Sequence, residues 1–173
     1  MAGTLILVGF MGAGKSSVGR ILARRLGRGF VETDDMITAK EGVSIPEIFA
    51  TKGEAYFRAA EEEALGLLAI QRDGVIATGG GLPCREGRLA TLRALGTVVW
   101  LSADFDTLYR RAREGGERPM LAGRSGADVE ALYRSREPFY RQADLMVDTT
   151  HLGPDQVAAR ILQCLQARAR MDG

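Results

Sequence analysis

The segment Gly9-Phe10-Met11-Gly12-Ala13-Gly14-Lys15-Ser16 constrains this chain more than any other. The apolar run Leu5-Ile6-Leu7-Val8 leads into it, and Val18, Ile21, Leu22 and Leu26 follow at helical spacing. A buried strand that ends in glycine and turns straight into a helix is the opening of a βαβ unit. Glycines let the backbone wrap so that successive N–H groups point inward. The positive end of the helix dipole adds to them, so the loop is built to hold an anion. At the spacing G-x-x-x-x-G-K-[ST] that anion is a phosphate chain. Lys15 then reaches the outer phosphates, and the Ser16 hydroxyl suits Mg²⁺. A plain glycine turn is the alternative, but the strand before and the helix after favour the cradle.

The pattern continues to alternate. Residues 30–31 read as a second strand, 75–78 as a third, 97–101 as a fourth and 145–147 as a fifth. Helical stretches lie between them: 36–40, 45–50, 54–71, 87–95, 104–113, 129–142 and 154–168. Mostly apolar strands that alternate with helices predict an α/β fold. The expectation is a three-layer α/β/α domain with a five-stranded parallel sheet, with ligands at the carboxyl ends of the strands. A chain of 173 residues suits one such domain.

Composition removes several classes of function. The net charge of +1 leaves no broad basic field, so neither nucleic acid nor an anionic membrane is expected as partner. Any anion must be held by local charge. The lysines are Lys15, Lys40 and Lys52 only. Cys84 and Cys164 are far apart and His151 is the sole histidine, so neither a disulfide framework nor a histidine metal centre is indicated. No signal-peptide pattern and no membrane-length apolar run is visible. A cytoplasmic monomer is expected.

Among nucleotide-binding classes, a guanine-nucleotide switch needs an Asn-Lys-x-Asp segment, and this chain has no asparagine. A motor ATPase needs an acid at the end of an apolar strand. The strand ending at Thr78 instead runs into Gly79-Gly80-Gly81, and Asp104 fits a helix N-cap equally well. A small-molecule kinase remains.

Further segments fall into one order. They are Ser17-Val18-Gly19; Thr33-Asp34-Asp35; Phe49-Ala50 with Gly53-Glu54, Phe57-Arg58 and Glu61; Thr78-Gly79-Gly80-Gly81; Arg118-Pro119-Met120-Leu121; and Tyr133, Arg136, Pro138 and Tyr140, followed by Val147-Asp148-Thr149 and Pro154. Together with the glycine loop they resemble the shikimate kinase family over nearly the whole chain. The resemblance implies ATP and Mg²⁺, with shikimate, a small carboxylated triol, as the acceptor. It implies that Gly12, Ala13, Gly14, Lys15, Ser16 and Ser17 hold the nucleotide phosphates, with Ser16 on the metal. It implies that Arg58 and Arg136 bind the acceptor carboxylate, where a planar guanidinium can bond both oxygens. A solvated surface position, or a salt bridge to Glu61 or Glu137, is the alternative for these arginines. Asp34 would hold the acceptor hydroxyls and take the proton, while Asp35 is expected to cap the next helix. Gly79, Gly80 and Gly81 would face the substrate.

Residues 112–125 are long for a connection and read as a mobile lid; residues 32–61 would be the substrate segment. Arg118 in the lid matches the family's arginine at the transferring phosphoryl, and counts with Lys15 and Asp34 as catalytic. Arg110 or Arg111, with Arg111 preferred, and Pro154 would flank adenine. Two departures from the family stand out: Glu32 where aspartate is usual near the metal, and Leu152 where a polar residue is common. Trp100, Phe105, Phe139 and Cys84 read as packing. A gluconate or nucleoside-monophosphate kinase is the alternative within the class, and a catalytically silent nucleotide binder the alternative outside it.

Overall fold

The structure, a computed structural model, describes residues 3–70, 73–115, 121 and 123–171. At its centre lies β1 (Thr4–Val8), buried along its whole length. It pairs in parallel with β3 (Val75–Ala77) on one side, Ile6 opposite Ile76, and with β4 (Gly96–Ser102) on the other, Ile6 opposite Val98. β2 (Phe30–Glu32) extends the sheet beyond β3, and β5 (Leu145–Asp148) extends it beyond β4. The order is β2-β3-β1-β4-β5, all parallel, as the apolar strands predict. Because β1 has neighbours reached in opposite directions, its carboxyl end is the switch point of the sheet. A crevice opens there.

Helices α1 (Lys15–Leu26) and α7 (Pro154–Met171) pack together, with Arg25 and Asp155 joined across them at 2.8 Å. α2 (Thr33–Glu41) and α3 (Ile45–Ile70) pack together and join the sheet near β2. α4 (Arg88–Leu95) precedes β4, and α5 (Phe105–Glu114) and α6 (Gly126–Tyr140) lie between β4 and β5. The main core covers the sheet, with Trp100 buried in it and Phe105 and Phe139 packed against it. A second small core, of Ile37, Ile48, Phe57, Ala60 and Ala64, holds α2 and α3 to each other.

The stretches expected as separate helices at 45–50 and 54–71 are two helical segments of α3 that meet at Gly53, whose φ of 80° and ψ of 173° are not helical. Asp104 caps α5, its Oδ1 accepting from the Thr107 amide at 2.8 Å. The cap expected of Asp35 is not made. α2 begins at Thr33, three residues before the expected start at 36, so Asp34 and Asp35 both lie inside its first turn. There an acid still complements the positive end of the helix.

Candidate active site

The loop after β1 has the predicted shape. Gly12 and Gly14 take φ of 80° and 87°, and a β-carbon at Gly12 would sit 2.2 Å from the Leu108 carbonyl oxygen. Only glycine fits there. Gly14 caps α1, whose first bond runs from the Val18 amide to the Gly14 carbonyl at 2.9 Å. Lys15 Nζ lies over the loop and donates to the carbonyls of Gly9 and Phe10 at 2.7 and 3.1 Å. Ser16 and Ser17 are exposed at the start of the helix.

Ser16 Oγ lies 3.1 Å from Glu32 Oε2, and the other oxygen of Glu32 pairs with Arg20 at 3.1 Å. The longer glutamate thus reaches the metal-side serine. Mg²⁺ takes oxygen ligands and retains several waters, so Ser16 directly and Glu32 through water could hold it. Among the described residues, His, Cys, Asp and Glu form no cluster of three that could cage an ion. That suits a metal carried largely by phosphate and water.

Beyond β3 the chain turns through Gly79, Gly80 and Gly81, and the predicted acceptor residues meet over it. Asp34 Oδ1 would be 2.4 Å from a β-carbon on Gly79. A β-carbon on Gly81 would be 3.1 Å from Arg136 Nη2 and 3.6 Å from Arg58 Nη1. One on Gly80 would lie 3.4 Å from Arg136 Nη1 and 3.6 Å from the Gly9 carbonyl. The absence of side chains at these glycines therefore makes the floor of a cleft. Asp34, Arg58 and Arg136 are its walls, and the phosphate loop is its far rim.

The cleft is fixed from beneath. The Gly79 amide donates to the hydroxyl of fully buried Thr33 at 2.9 Å, which ties the glycine turn to the first turn of α2. Buried Tyr140 donates to the Gly80 carbonyl at 2.6 Å, and Cys84 Sγ touches the same oxygen at 3.4 Å. Cys84 therefore borders the cleft as well as packing. Arg136 lies over the Phe10 ring, 5.9 Å from its centre, so a side chain of the phosphate loop supports an arginine of the acceptor side. Neither Thr33 nor Tyr140 carries a role in the sequence reading. The spacing of Tyr140 four residues after Arg136, on one face of α6, is the signal that could have found it.

Arg58 is not a solvated surface cation. Its Nη1 bonds buried Glu61 at 2.9 Å, and Nε and Nη2 bond Glu54 at 3.2 and 3.0 Å. Burial pushes the Asp34 carboxyl above its ordinary range. Nearby Lys15 opposes that shift, while the charges of Glu61, Glu32 and Asp35 add to it. Burial likewise raises the Tyr140 hydroxyl well above its usual value, so it remains a donor.

At the opposite end, Arg111 reaches the loop after β5. It donates to the Thr149 hydroxyl and carbonyl at 3.1 and 2.8 Å, close in sequence to Pro154. Arg110 is exposed on α5 and lines a shallow depression with Asp106, Tyr109 and Arg113. Of the two arginines, only Arg111 faces the loop that leads to Pro154. Leu152 is partly buried against the main core. The lid expected at 112–125 shares its first residues with α5, which runs to Glu114, and α6 begins at Gly126. Arg118 lies outside the described residues.

A phosphate loop that shares a rim with an acid and paired arginines brings a phosphoryl donor and a hydroxylated, carboxylated acceptor edge to edge. Fold and cleft together define a P-loop kinase of small molecules. The sequence model of the family described as shikimate kinase matches residues 11–166. A shikimate kinase of Moorella thermoacetica is 44% identical over 167 residues, 96% of each chain. That of Geobacter metallireducens is 45% identical over 165 residues, covering 95% of this chain and 92% of the relative. The solved structure of shikimate kinase from Acinetobacter baumannii in complex with shikimate superposes with a TM-score of 0.89 at 34% identity, covering 96% and 94% of the two chains. The chain belongs to the shikimate kinase family.

Proposed function

We propose that this chain transfers the γ-phosphoryl group of ATP to the 3-hydroxyl of shikimate, giving shikimate 3-phosphate and ADP. The observation that carries this reading is the meeting of Asp34, Arg58 and Arg136 over Gly79–Gly81, with Gly9 of the phosphate loop beside them. Arg58 and Arg136 bind the substrate carboxylate, and that fixes the ring. Asp34 then accepts from the hydroxyl that faces the nucleotide. Phosphoryl transfer asks mainly for alignment and charge stabilisation.

The acceptor oxygen attacks the γ-phosphorus and the bridge to the β-phosphate breaks. The hydroxyl proton passes to Asp34, whose raised affinity for a proton suits that task. The loop amides and Lys15 bear the charge that develops on the phosphates. Ser16 would hold Mg²⁺, which would supply further charge neutralisation. Arg118, in the lid at residues 112–125, stabilises the transferring group, and Arg111 and Pro154 flank the adenine. The protein acts as a cytoplasmic monomer, and no helix among the described residues is long and apolar enough to cross a membrane.

The test is ADP release from the purified protein with ATP and shikimate, gluconate or CMP in turn. Release with shikimate alone is expected. Turnover with gluconate or CMP and none with shikimate would move the chain to another branch of the class. No turnover with any of the three, while ATP still binds, would make it a silent relative. Arg118→Ala is expected to lower kcat far more than it weakens ATP binding; near-normal turnover would remove that role.

A further inference from the structure

Arg85 stands outside every motif that carries the family resemblance. It lies in the turn that leads from the glycine floor to α4, partly buried, with its Nη2 3.2 Å from Glu61 Oε2. The same oxygen accepts from Arg58 Nη1 at 2.9 Å. Glu61 is 1% exposed, so a carboxylate out of reach of water is shared by two half-buried guanidinium groups. Arg85 also comes within 4.0 Å of Glu62, which is paired to buried Arg88.

A buried carboxylate with a single cation holds that cation tightly, because water screens neither partner. If Glu61 had only Arg58, the two would form a neutral pair. Arg136 would then be the one wall residue left to attract an anionic acceptor. With Arg85 on the same oxygen, buried Glu61 and its two arginines carry a net positive charge at the wall of the cleft, which Glu54 and Glu62, both more than half exposed, offset only through the screening of water. The second donor also divides the pull on Arg58, whose guanidinium must still turn toward the substrate.

We infer that Arg85 is a positioning residue for acceptor binding: through Glu61 it keeps Arg58 at the cleft wall and keeps that wall cationic. The inference rests on reading Arg58 as the ligand of the acceptor carboxylate. It assigns Arg85 no contact with either substrate and no part in the nucleotide site.

Steady-state kinetics of Arg85→Ala, Arg85→Gln and Arg85→Lys test it, with shikimate and ATP varied separately. Loss of one charge-assisted contact is expected to raise KM for shikimate about tenfold in the Ala and Gln variants. KM for ATP and kcat should stay within about twofold, and Arg85→Lys should restore most of the loss. The Gln variant keeps the length of the side chain and decides the matter if Arg85→Ala does not fold. In an Arg58→Lys background, Arg85→Gln should add less than about twofold, because its effect runs through Arg58. An unchanged KM for shikimate in Arg85→Gln would overturn the inference. So would a parallel rise in both KM values with a lowered Tm, the mark of a structural tie between α3 and α4. Absence of shikimate turnover in the unmodified protein would instead fault the proposed function.

Discussion

Asp34 and Gly79 fit each other across the ends of neighbouring strands: Asp34 Oδ1 lies 2.4 Å from the point where a β-carbon of Gly79 would sit. The backbone of Gly79 is not in the left-handed region, so alanine is conformationally allowed there. The three atoms nearest the added methyl would all belong to the Asp34 carboxylate. Gly79→Ala is therefore expected to fold nearly as well as the parent while displacing the carboxylate proposed to align the acceptor. A fall in kcat/KM for shikimate of about 10²-fold, with Tm nearly unchanged, is the expected outcome. Activity near the parent's would show that Asp34 can shift without cost.

The raised proton affinity of Asp34 has a consequence for stability. The folded chain binds that proton more tightly than the unfolded chain, because burial of the charge outweighs the pull of Lys15. Stability therefore falls as pH rises from the ordinary carboxylate range through the folded pKa, and the cost is fully present above it. Asp34→Asn removes the charge and keeps the shape. It should raise Tm at pH 7, lose most activity, and converge with the parent in Tm as the pH is brought to the acid side. A variant less stable than the parent at pH 7 would mean that the attraction of Lys15 prevails over burial.

Much of this site could be read from the chain because its chemistry rests on residue types with few substitutes. Glycine at positions 9, 12 and 14 and lysine at 15 announce the phosphate loop, and alternating apolar runs announce the parallel sheet. What escaped notice depends on contacts between segments distant in sequence. Thr33, at the start of α2, meets the Gly79 amide beyond β3, and Arg85, in the turn before α4, meets Glu61 of α3. Local patterns hold no trace of either. Helix boundaries shifted where caps were unusual. α6 starts at Gly126 rather than 129, because Ser125 and Asp128 form a reciprocal box with aspartate in place of the common glutamate. Gly53 reads as a break between helices, and the backbone leaves the helical region there.

Arg110 and Arg111 are neighbours in sequence with opposite surroundings, and their substitution separates two parts of the site. Arg111 holds the loop before Pro154 by charge-assisted bonds to Thr149 and Thr150. Such bonds contribute roughly 1.5–3 kcal/mol each when well formed. On the proposal that Arg111 flanks the adenine, Arg111→Ala should raise KM for ATP by about tenfold or more, by freeing that loop and baring one face of the base. KM for shikimate should change little. Arg110→Ala, on the exposed face of α5, should leave both constants within about twofold. Equal effects of the two substitutions on KM for ATP would place the nucleotide base elsewhere.

Glu54 occupies one edge of the Arg58 guanidinium, the group proposed to bind the acceptor carboxylate. A guanidinium binds a carboxylate best through two parallel N–H groups, and Nε and Nη2 of Arg58 both point at one oxygen of Glu54. The two holders of Arg58 are unequal: the side chain of Glu54 is 67% exposed and that of Glu61 only 2%. An exposed pair four residues apart on a helix contributes roughly 0.3–0.5 kcal/mol, so an incoming carboxylate can replace Glu54 at little cost. Glu61 cannot be replaced so cheaply and stays as the anchor. Glu54→Gln should therefore lower KM for shikimate by about twofold at low ionic strength, with kcat unchanged. The difference should shrink as salt is added, because salt screens the exposed pair before the buried one. A several-fold rise in KM would show instead that Glu54 orients Arg58 for the substrate rather than standing in its place.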